Sequence, residues 1–322
     1  MMADLPSARV NISRVFIKVG LDFCGPFSIK LIPGGVKRVY KCYICIFVCF
    51  VVKAIHLEIV NSLSTEAFIG ALKRFISRRG SPSDIFSDDG TNFVGANNEL
   101  LKILKGLFKR ESAEKFENFL ASEGIKWHFN PPATPHFGGL WEAGVNSLKG
   151  HLKRVVGNTI LTHEEFFTLI TQVEAVLNSR LLCPLSEDPN DDLALTPAHF
   201  LVGTSLTSFP EPHFKETPMY RLSRWELVQK LAQTFWSKWT SDYLNRLQAR
   251  PKWYKGEKVF KKIEVVLVKG DDNSKLLRWN LAKIIEVHPG KDNITRIVTL
   301  KTSKGIYKRL INKIVKLPFD FN

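Results

Sequence analysis

The chain has 322 residues, 44% of them hydrophobic, enough to bury a core and to form about two domains. Its formal net charge is +15, unevenly placed: residues 1–220 hold 23 Lys+Arg against 22 Asp+Glu (+1), and residues 221–322 hold 23 against 9 (+14). The basic excess belongs to the C-terminal third, and because it is so one-sided it fits a polyanion-binding surface better than a solvated face that happens to be basic. The five cysteines, Cys24, Cys42, Cys45, Cys49 and Cys183, are odd in number and lie mostly in apolar strand patterns, so a reducing compartment fits better than a disulfide framework. No signal-peptide plan opens the chain, and the apolar run from Val39 to Val52 contains Lys41 and is too short to span a bilayer.

The first predicted strand runs from Val15 to Cys24 and is closed by Gly25-Pro26. Asp22 lies inside this apolar pattern, where burial is costly unless a charge or a metal offsets it. Val36–Val52 and Lys53–Val60 read as two more strands with no turn signal between them. The C-x-x-C spacing of Cys42 and Cys45 puts the pair on opposite faces of a strand, which fits core packing better than zinc. Ser64 opens a helix carrying Phe68, Leu72, Phe75 and Ile76 on one face, stopped by Gly80 and Pro82.

A short strand then ends in Ser87-Asp88-Asp89-Gly90, and a carboxylate at the C-terminal end of a buried strand stands where open α/β sheets place ligands. Taken alone, the stretch could equally be a plain acidic turn. Asn98–Leu120 reads as one or two helices, and Ile125–Phe129 as a last short strand. Pro131, Pro132 and Pro135 interrupt regular structure, and Gly138-Gly139 form a loop hinge before a helix that begins near Leu140. On that helix Trp141, Val145, Leu148, Leu152 and Val155 face inward, while Glu142, Asn146, Lys149 and Lys153 share a polar face. His56, His128 and His136 have no ligand-spaced partners and read as structural or loop residues.

Thr162 and Glu165 form a capping-box pattern for a helix with Phe166, Leu169, Ile170, Val173 and Val176 inward. Residues 183–220 are rich in turn formers and read as an irregular connector. Trp225, Val228, Leu231, Phe235, Trp239, Tyr243 and Leu247 describe a long amphipathic helix. Five short strands follow, at Lys258–Phe260, Val265–Val268, Leu281–Val287, Thr295–Leu300 and Ile306–Lys308, the pattern of a small barrel. Lys252, Lys255 and Lys258 at its start are candidate phosphate contacts, with Asn146, Lys149 and Lys153 as further DNA-binding candidates.

Asp22, Asp88 and Glu142, in the contexts Gly20-Leu21-Asp22-Phe23-Cys24-Gly25-Pro26-Phe27, Ser87-Asp88-Asp89-Gly90-Thr91-Asn92-Phe93 and Pro135-His136-Phe137-Gly138-Gly139-Leu140-Trp141-Glu142, resemble the D,D,E core of retroviral-type integrases, most of all those of Pao/BEL-type LTR retrotransposons. Leu195-Thr196-Pro197-Ala198-His199-Phe200-Leu201-Val202-Gly203 is another Pao/BEL-like phrase, and the 53 residues between Asp88 and Glu142 fit that type. The resemblance implies an α/β, ribonuclease H-like mixed five-stranded sheet with flanking helices (1–182), a helical connector (183–252) and a basic SH3-like β-barrel (253–318) that binds nucleic acid. Asp22, Asp88 and Glu142 would then hold two Mg2+ ions, replaceable by Mn2+, for phosphoryl transfer. Water attack would trim a DNA 3′ end, and attack by that 3′ hydroxyl would join it to target DNA. The implied partners are DNA and further copies of the chain, with no membrane and no small-molecule substrate, in the nucleus or a cytoplasmic particle. Asn146 departs from the family pattern, standing where integrases commonly have Lys. The leading reading is therefore an integrase-type polynucleotidyl transferase, the runner-up a retroelement-derived nucleic-acid-binding or assembly protein without catalysis, and the third a ribonuclease H-type metal nuclease acting on RNA/DNA hybrids, ranked last because the three motif contexts match integrases.

Overall fold

The computed structural model describes residues 13–30, 38–88, 90–107, 124–129, 135–184, 194–247, 260–269, 276–291, 295–302 and 305–317. The chain divides into two compact units, 1–174 and 175–322.

The first unit is built on one mixed sheet. Strand β1 (Lys18–Lys30) pairs antiparallel with β2 (Tyr40–Cys49), and β2 pairs antiparallel with β3 (Ile55–Val60). On its other side β1 runs parallel to β4 (Asp84–Ser87), which runs parallel to β5 (Lys126–Phe129). The order is therefore β3-β2-β1-β4-β5, with the two-residue β6 (Leu161–Thr162) added against the far end of β1. Two antiparallel hairpin strands beside parallel crossover strands make this a ribonuclease H-like sheet.

β1 does not stop at Gly25-Pro26. It continues to Lys30 through a register shift between Cys24 and Phe27, where Pro26 is tolerated because the ladder is already broken. Gly25 adopts φ +148°, and a Cβ there would lie 2.7 Å from the Tyr43 ring, so only glycine fits the bulge. The turn between β2 and β3, for which the sequence carries no turn signal, is made by Phe50-Val51-Val52-Lys53-Ala54. Cys49 N–H donates to Ala54 O at 2.8 Å and Lys53 takes φ +56°, so the chain reverses without Gly, Pro or Asn.

Helix α1 (Thr65–Arg79) is capped by Ser64, whose hydroxyl accepts from Ala67 N–H at 3.2 Å, and buries Phe68, Leu72 and Phe75. Helix α2 (Thr91–Leu107) begins immediately after Gly90, seven residues earlier than the sequence pattern suggests. Residues 108–123 lie outside the described part. Helix α3 (Pro135–Val156) buries Val145, Leu148, Leu152 and Val155 and packs against β1. It also begins earlier than expected, at Pro135. Gly138 and Gly139 therefore lie within its first turns and not in a loop ahead of it. Helix α4 (His163–Asn178) has the expected capping box in both directions: Thr162 N–H to Glu165 Oε2 at 2.7 Å, and Glu165 N–H to Thr162 Oγ1 at 3.2 Å.

In the second unit β7 (Cys183–Pro184) and β8 (Ala194–Leu195) form a short antiparallel pair, followed by α5 (His199–Val202) and the long α6 (Arg224–Leu247). The anticipated stripe on α6 is buried at Val228, Leu231, Phe235 and Trp239, but Trp225 is exposed. Five antiparallel strands close the chain: β9 (Val265–Val268), β10 (Leu281–Pro289), β11 (Thr295–Thr302), β12 (Gly305–Leu310) and β13 (Ile314–Lys316), in the order β12-β11-β10-β9-β13. The sheet is compatible with an SH3-like module. Of the run expected as its first strand, Lys258 lies outside the described residues and Phe260 is a buried core residue outside any strand. The fifth strand is instead β13, three residues long and too short to show a period. β9 is buried on both faces: Val266 and Val268 pack with Ile284, Val298 and Leu300, while Leu267 packs with Leu244 of α6, Leu281 and Val315. Trp279 N–H donates to Ser179 O at 2.8 Å and its ring meets Trp236, Trp239 and Tyr243.

Candidate active site

The first carboxylate is set by strand geometry. Asp22 lies on β1 opposite Ile46, two residues past the last β1–β4 pair, Gly20 with Phe86. One oxygen, Oδ1, accepts from Phe23 N–H at 2.6 Å; the other, Oδ2, accepts from Lys149 Nζ at 2.8 Å. Burial pushes the Asp22 carboxyl above its ordinary pKa, Lys149 pulls it back in part, and the charge of Asp88 pushes it up again. Asp88 is thus near enough for its charge to act on Asp22.

Their proximity follows from register. The parallel pairing of β1 and β4 ends at Gly20 with Phe86, and β4 itself ends at Ser87, so Asp88 follows the strand directly while Asp22 lies two residues beyond the last pair. Asp88 is exposed at the strand end, and its Oδ1 accepts from Gly90 N–H at 3.2 Å as α2 begins. The preceding residue is fixed from below: Ser87 Oγ accepts from Trp127 N–H at 2.9 Å and donates to Asp88 O at 2.8 Å. Phe23, next to Asp22, stacks on Phe93 in the first turn of α2 at 5.2 Å, and Phe93 meets Phe68 of α1 edge-on at 5.1 Å. Aromatic packing thus ties the strand carrying one aspartate to the helix that follows the other.

Between its pairing with β4 and with β6, the middle of β1 lacks a strand neighbour on that side among the described residues, and α3 packs there. Of the residues expected on the polar face of α3, Lys149 reaches Asp22, whereas Asn146 and Lys153 are exposed. Lys149 was anticipated as a phosphate contact; here its ammonium is the counter-ion of Asp22, with both side chains about a quarter exposed. Position 142 is seven residues, two turns, ahead of Lys149 and so on the same helix face. The Glu142 side chain lies outside the described residues, as do Lys252, Lys255 and Lys258. Among the described residues no group of three His, Cys, Asp or Glu side chains is arranged to hold a metal ion. The donor chemistry nevertheless fits a hard divalent cation: Asp22 is a largely desolvated carboxylate that already attracts a cationic group and lies within reach of the charge of Asp88.

Sequence reasoning missed a second ionic cluster on the other side of the sheet. On edge strand β3, His56 and Glu58 are buried and bonded to each other, Nε2 to Oε1 at 3.0 Å. Glu58 also takes Arg74 Nε at 2.6 Å and Arg78 Nη1 at 2.8 Å from α1. Glu174 accepts from Leu57 N–H at 2.8 Å and pairs with Arg79 at 2.8 Å and with His56 Nδ1 at 3.4 Å. The available signal was the i, i+2 spacing of His56 and Glu58 on a strand face and the i, i+4 spacing of Arg74 and Arg78 on a helix face. His128, also assigned a structural role, pairs with Asp84 at 2.7 Å.

In the second unit a cavity of about 630 Å3 is lined by residues 205–211 and 276–279, among others. The polar side chains Thr196, Ser208 and Gln233 on its wall are engaged by His199 and by backbone groups. Among the described residues no helix is long and apolar enough to cross a membrane.

The strand order thus defines a ribonuclease H-like core, followed in the chain by a small antiparallel module. Among known proteins, a family model described as "Family of unknown function (DUF5641)" matches residues 223–317, which are α6 and the β9–β13 sheet together. No curated protein sequence matches the chain. The chain is similar to the HTLV-2 integrase catalytic core domain in complex with magnesium, in its dimeric form (18% identity, TM-score 0.31, 51% of this chain and 88% of that chain). The trimeric form gives 18% identity and a TM-score of 0.34 over 58% of this chain and 97% of that one. A simian T-cell lymphotropic virus intasome in complex with PP2A regulatory subunit B56 gamma is similar at 12% identity and a TM-score of 0.36, over 99% of this chain and 85% of that chain. All three TM-scores fall below 0.5, so the ribonuclease H-like assignment stands on this chain's own strand order and register.

Proposed function

We propose that the first unit is the catalytic core of an integrase-type polynucleotidyl transferase of the Pao/BEL kind, and that the basic C-terminal module holds nucleic acid for it. The observation that supports this reading is the position of Asp22 on β1, two residues past its pairing with β4, with Asp88 directly after the end of β4 and position 142 on a helix that packs against β1. Asp22, Asp88 and Glu142 would hold Mg2+, which when bound activates the attacking oxygen and stabilises the leaving one in an in-line displacement. The chain's own contribution is positioning. Phe23 N–H fixes one oxygen of Asp22 and directs the other toward α3, while the Ser87–Trp127 bond fixes the strand end before Asp88. Lysines and arginines of the module would meet phosphates in a sequence-tolerant manner. DNA ends and target DNA are the proposed substrates, with further copies of the chain as partners, in the nucleus or a cytoplasmic particle.

The test is strand transfer and disintegration on a branched DNA with Mg2+ or Mn2+, comparing the chain with Asp88→Asn. Metal-dependent joining abolished by the substitution is the expected result. Equal DNA binding by both proteins, with neither cutting nor joining, would overturn the catalytic reading in favour of a binding or assembly protein.

A further inference from the structure

Among the described residues, the cationic group that meets Asp22 is a side chain of α3. Lys149 Nζ stands 2.8 Å from Oδ2, the oxygen left available once Oδ1 has accepted from Phe23 N–H. The lysine starts from a fixed point, because its neighbours on α3, Val145, Leu148 and Leu152, are fully buried. Only the flexible four-carbon stem has to move for the ammonium to leave, and at 27% exposure it has solvent to move into. A divalent cation taking Oδ2 as a ligand would stand within a few ångströms of that ammonium, and the repulsion between the two positive charges favours the lysine's departure.

We propose that Lys149 is a built-in counter-ion that occupies the cation position at Asp22 until a divalent metal displaces it, and that the displaced ammonium then turns to a DNA phosphate, so that metal loading precedes this DNA contact. The inference rests on the metal-binding reading of Asp22 and Asp88 above. It makes Lys149 a positioning residue with two stations, coupling metal occupancy to the readiness of the DNA-facing side of α3. Without a counter-ion Asp22 would be a desolvated carboxylate facing the charge of Asp88, and the lysine offsets part of that cost.

Two measurements on the full chain test it. In the first, Mn2+ binding is followed by the paramagnetic resonance signal of the free ion, without DNA. Lys149→Met should bind Mn2+ about tenfold more tightly than the unsubstituted chain, a factor equal to about 1.4 kcal/mol, Lys149→Arg should bind as the unsubstituted chain does, and Asp22→Asn should lose the site. In the second, which needs no variant, acetylation of Lys149 by an N-hydroxysuccinimide ester is read by mass spectrometry with and without Mg2+. The metal should raise labelling of Lys149 and leave that of exposed Lys153 unchanged. Mn2+ binding that depends on Asp22 and Asp88 but is indifferent to Lys149→Met, or Lys149 labelling indifferent to Mg2+, overturns the exchange while leaving the metal site intact. Absence of any Mn2+ binding that depends on Asp22 overturns both the exchange and the metal reading on which it rests.

Discussion

Replacing Glu58 by Gln keeps the shape of a buried side chain and removes the charge around which β3 and α1 are joined. The loss can be built from its three partners. His56 is 3% exposed, and a hydrogen bond between charged groups at such a site is worth about 1.5–3 kcal/mol. Arg74 and Arg78 are 45% and 50% exposed and re-enter water easily, so each of their pairs adds only about 0.2–1 kcal/mol. The total is about 3 kcal/mol, toward the low end of what breaking a fully buried pair costs. Because the chain has two units, its unfolding need not be two-state, and the effect is best read locally. Hydrogen exchange followed by mass spectrometry on a peptide spanning Ile55–Val60 should show openings about a hundredfold more frequent, while the β10–β11 peptides stay unchanged. pH sharpens the test. Burial alone would lower the His56 pKa, but hydrogen bonds to Glu174 and Glu58 hold it above its ordinary 6.5; the stability this brings is complete below that value and is lost as pH rises through the raised one. Burial would raise Glu58, but bonds from His56 and Arg74 hold it below 4.5, so its contribution is present above 4.5 and is lost as pH falls through the depressed value. Glu58→Gln should flatten the loss of protection on both sides. Exchange within β3 that is unchanged by the substitution, or a pH profile of the same shape, would refute this account of the cluster.

Asp22→Asn removes a carboxylate whose pKa is raised and which, ionised, costs stability above that raised value; in the absence of metal at neutral pH it should stabilise the first unit by about 1 kcal/mol, measured as a shift in the thermal midpoint, while abolishing activity. Gly95→Ala should destabilise by about 1–3 kcal/mol in urea, because a Cβ there runs into Thr65 Oγ1 at the start of α1. Burial pushes the Cys24 thiol up to about 11 and that of Cys42 to about 12, so iodoacetamide at pH 8 should spare both in the folded chain and label them after denaturation; labelling at the native rate of a free thiol would contradict their burial. Nucleic-acid binding, measured by anisotropy, should weaken steeply and linearly in log salt, and a truncation that keeps only residues 1–174 should lose most of that slope.

Local chemistry made much of the first unit readable. The Ser64 cap and the Thr162–Glu165 box are satisfied by groups three residues away, and the buried faces of α1 and α4 repeat with the helical period, so neighbours in sequence were enough to mark them. Asp22 was conspicuous because an acid in an apolar strand is costly, whereas Asp88, exposed after the end of β4, stood out only beside the other two acidic motifs. What sequence alone could not show lies where a distant partner decides. β1 runs on through Gly25-Pro26 because Tyr43 and Cys42 of β2 fill the space beside the bulge. β2 and β3 are divided by a left-handed Lys53, a choice made by strand pairing and not by a turn residue. β13 is a strand only because β9 is there to pair with it. The same holds for the site. Composition and spacing supplied the carboxylates and the lysine of α3, but which oxygen Lys149 meets, and that it stands on Asp22 at all, is fixed by the packing of α3 on β1, a contact between residues 127 apart in the chain.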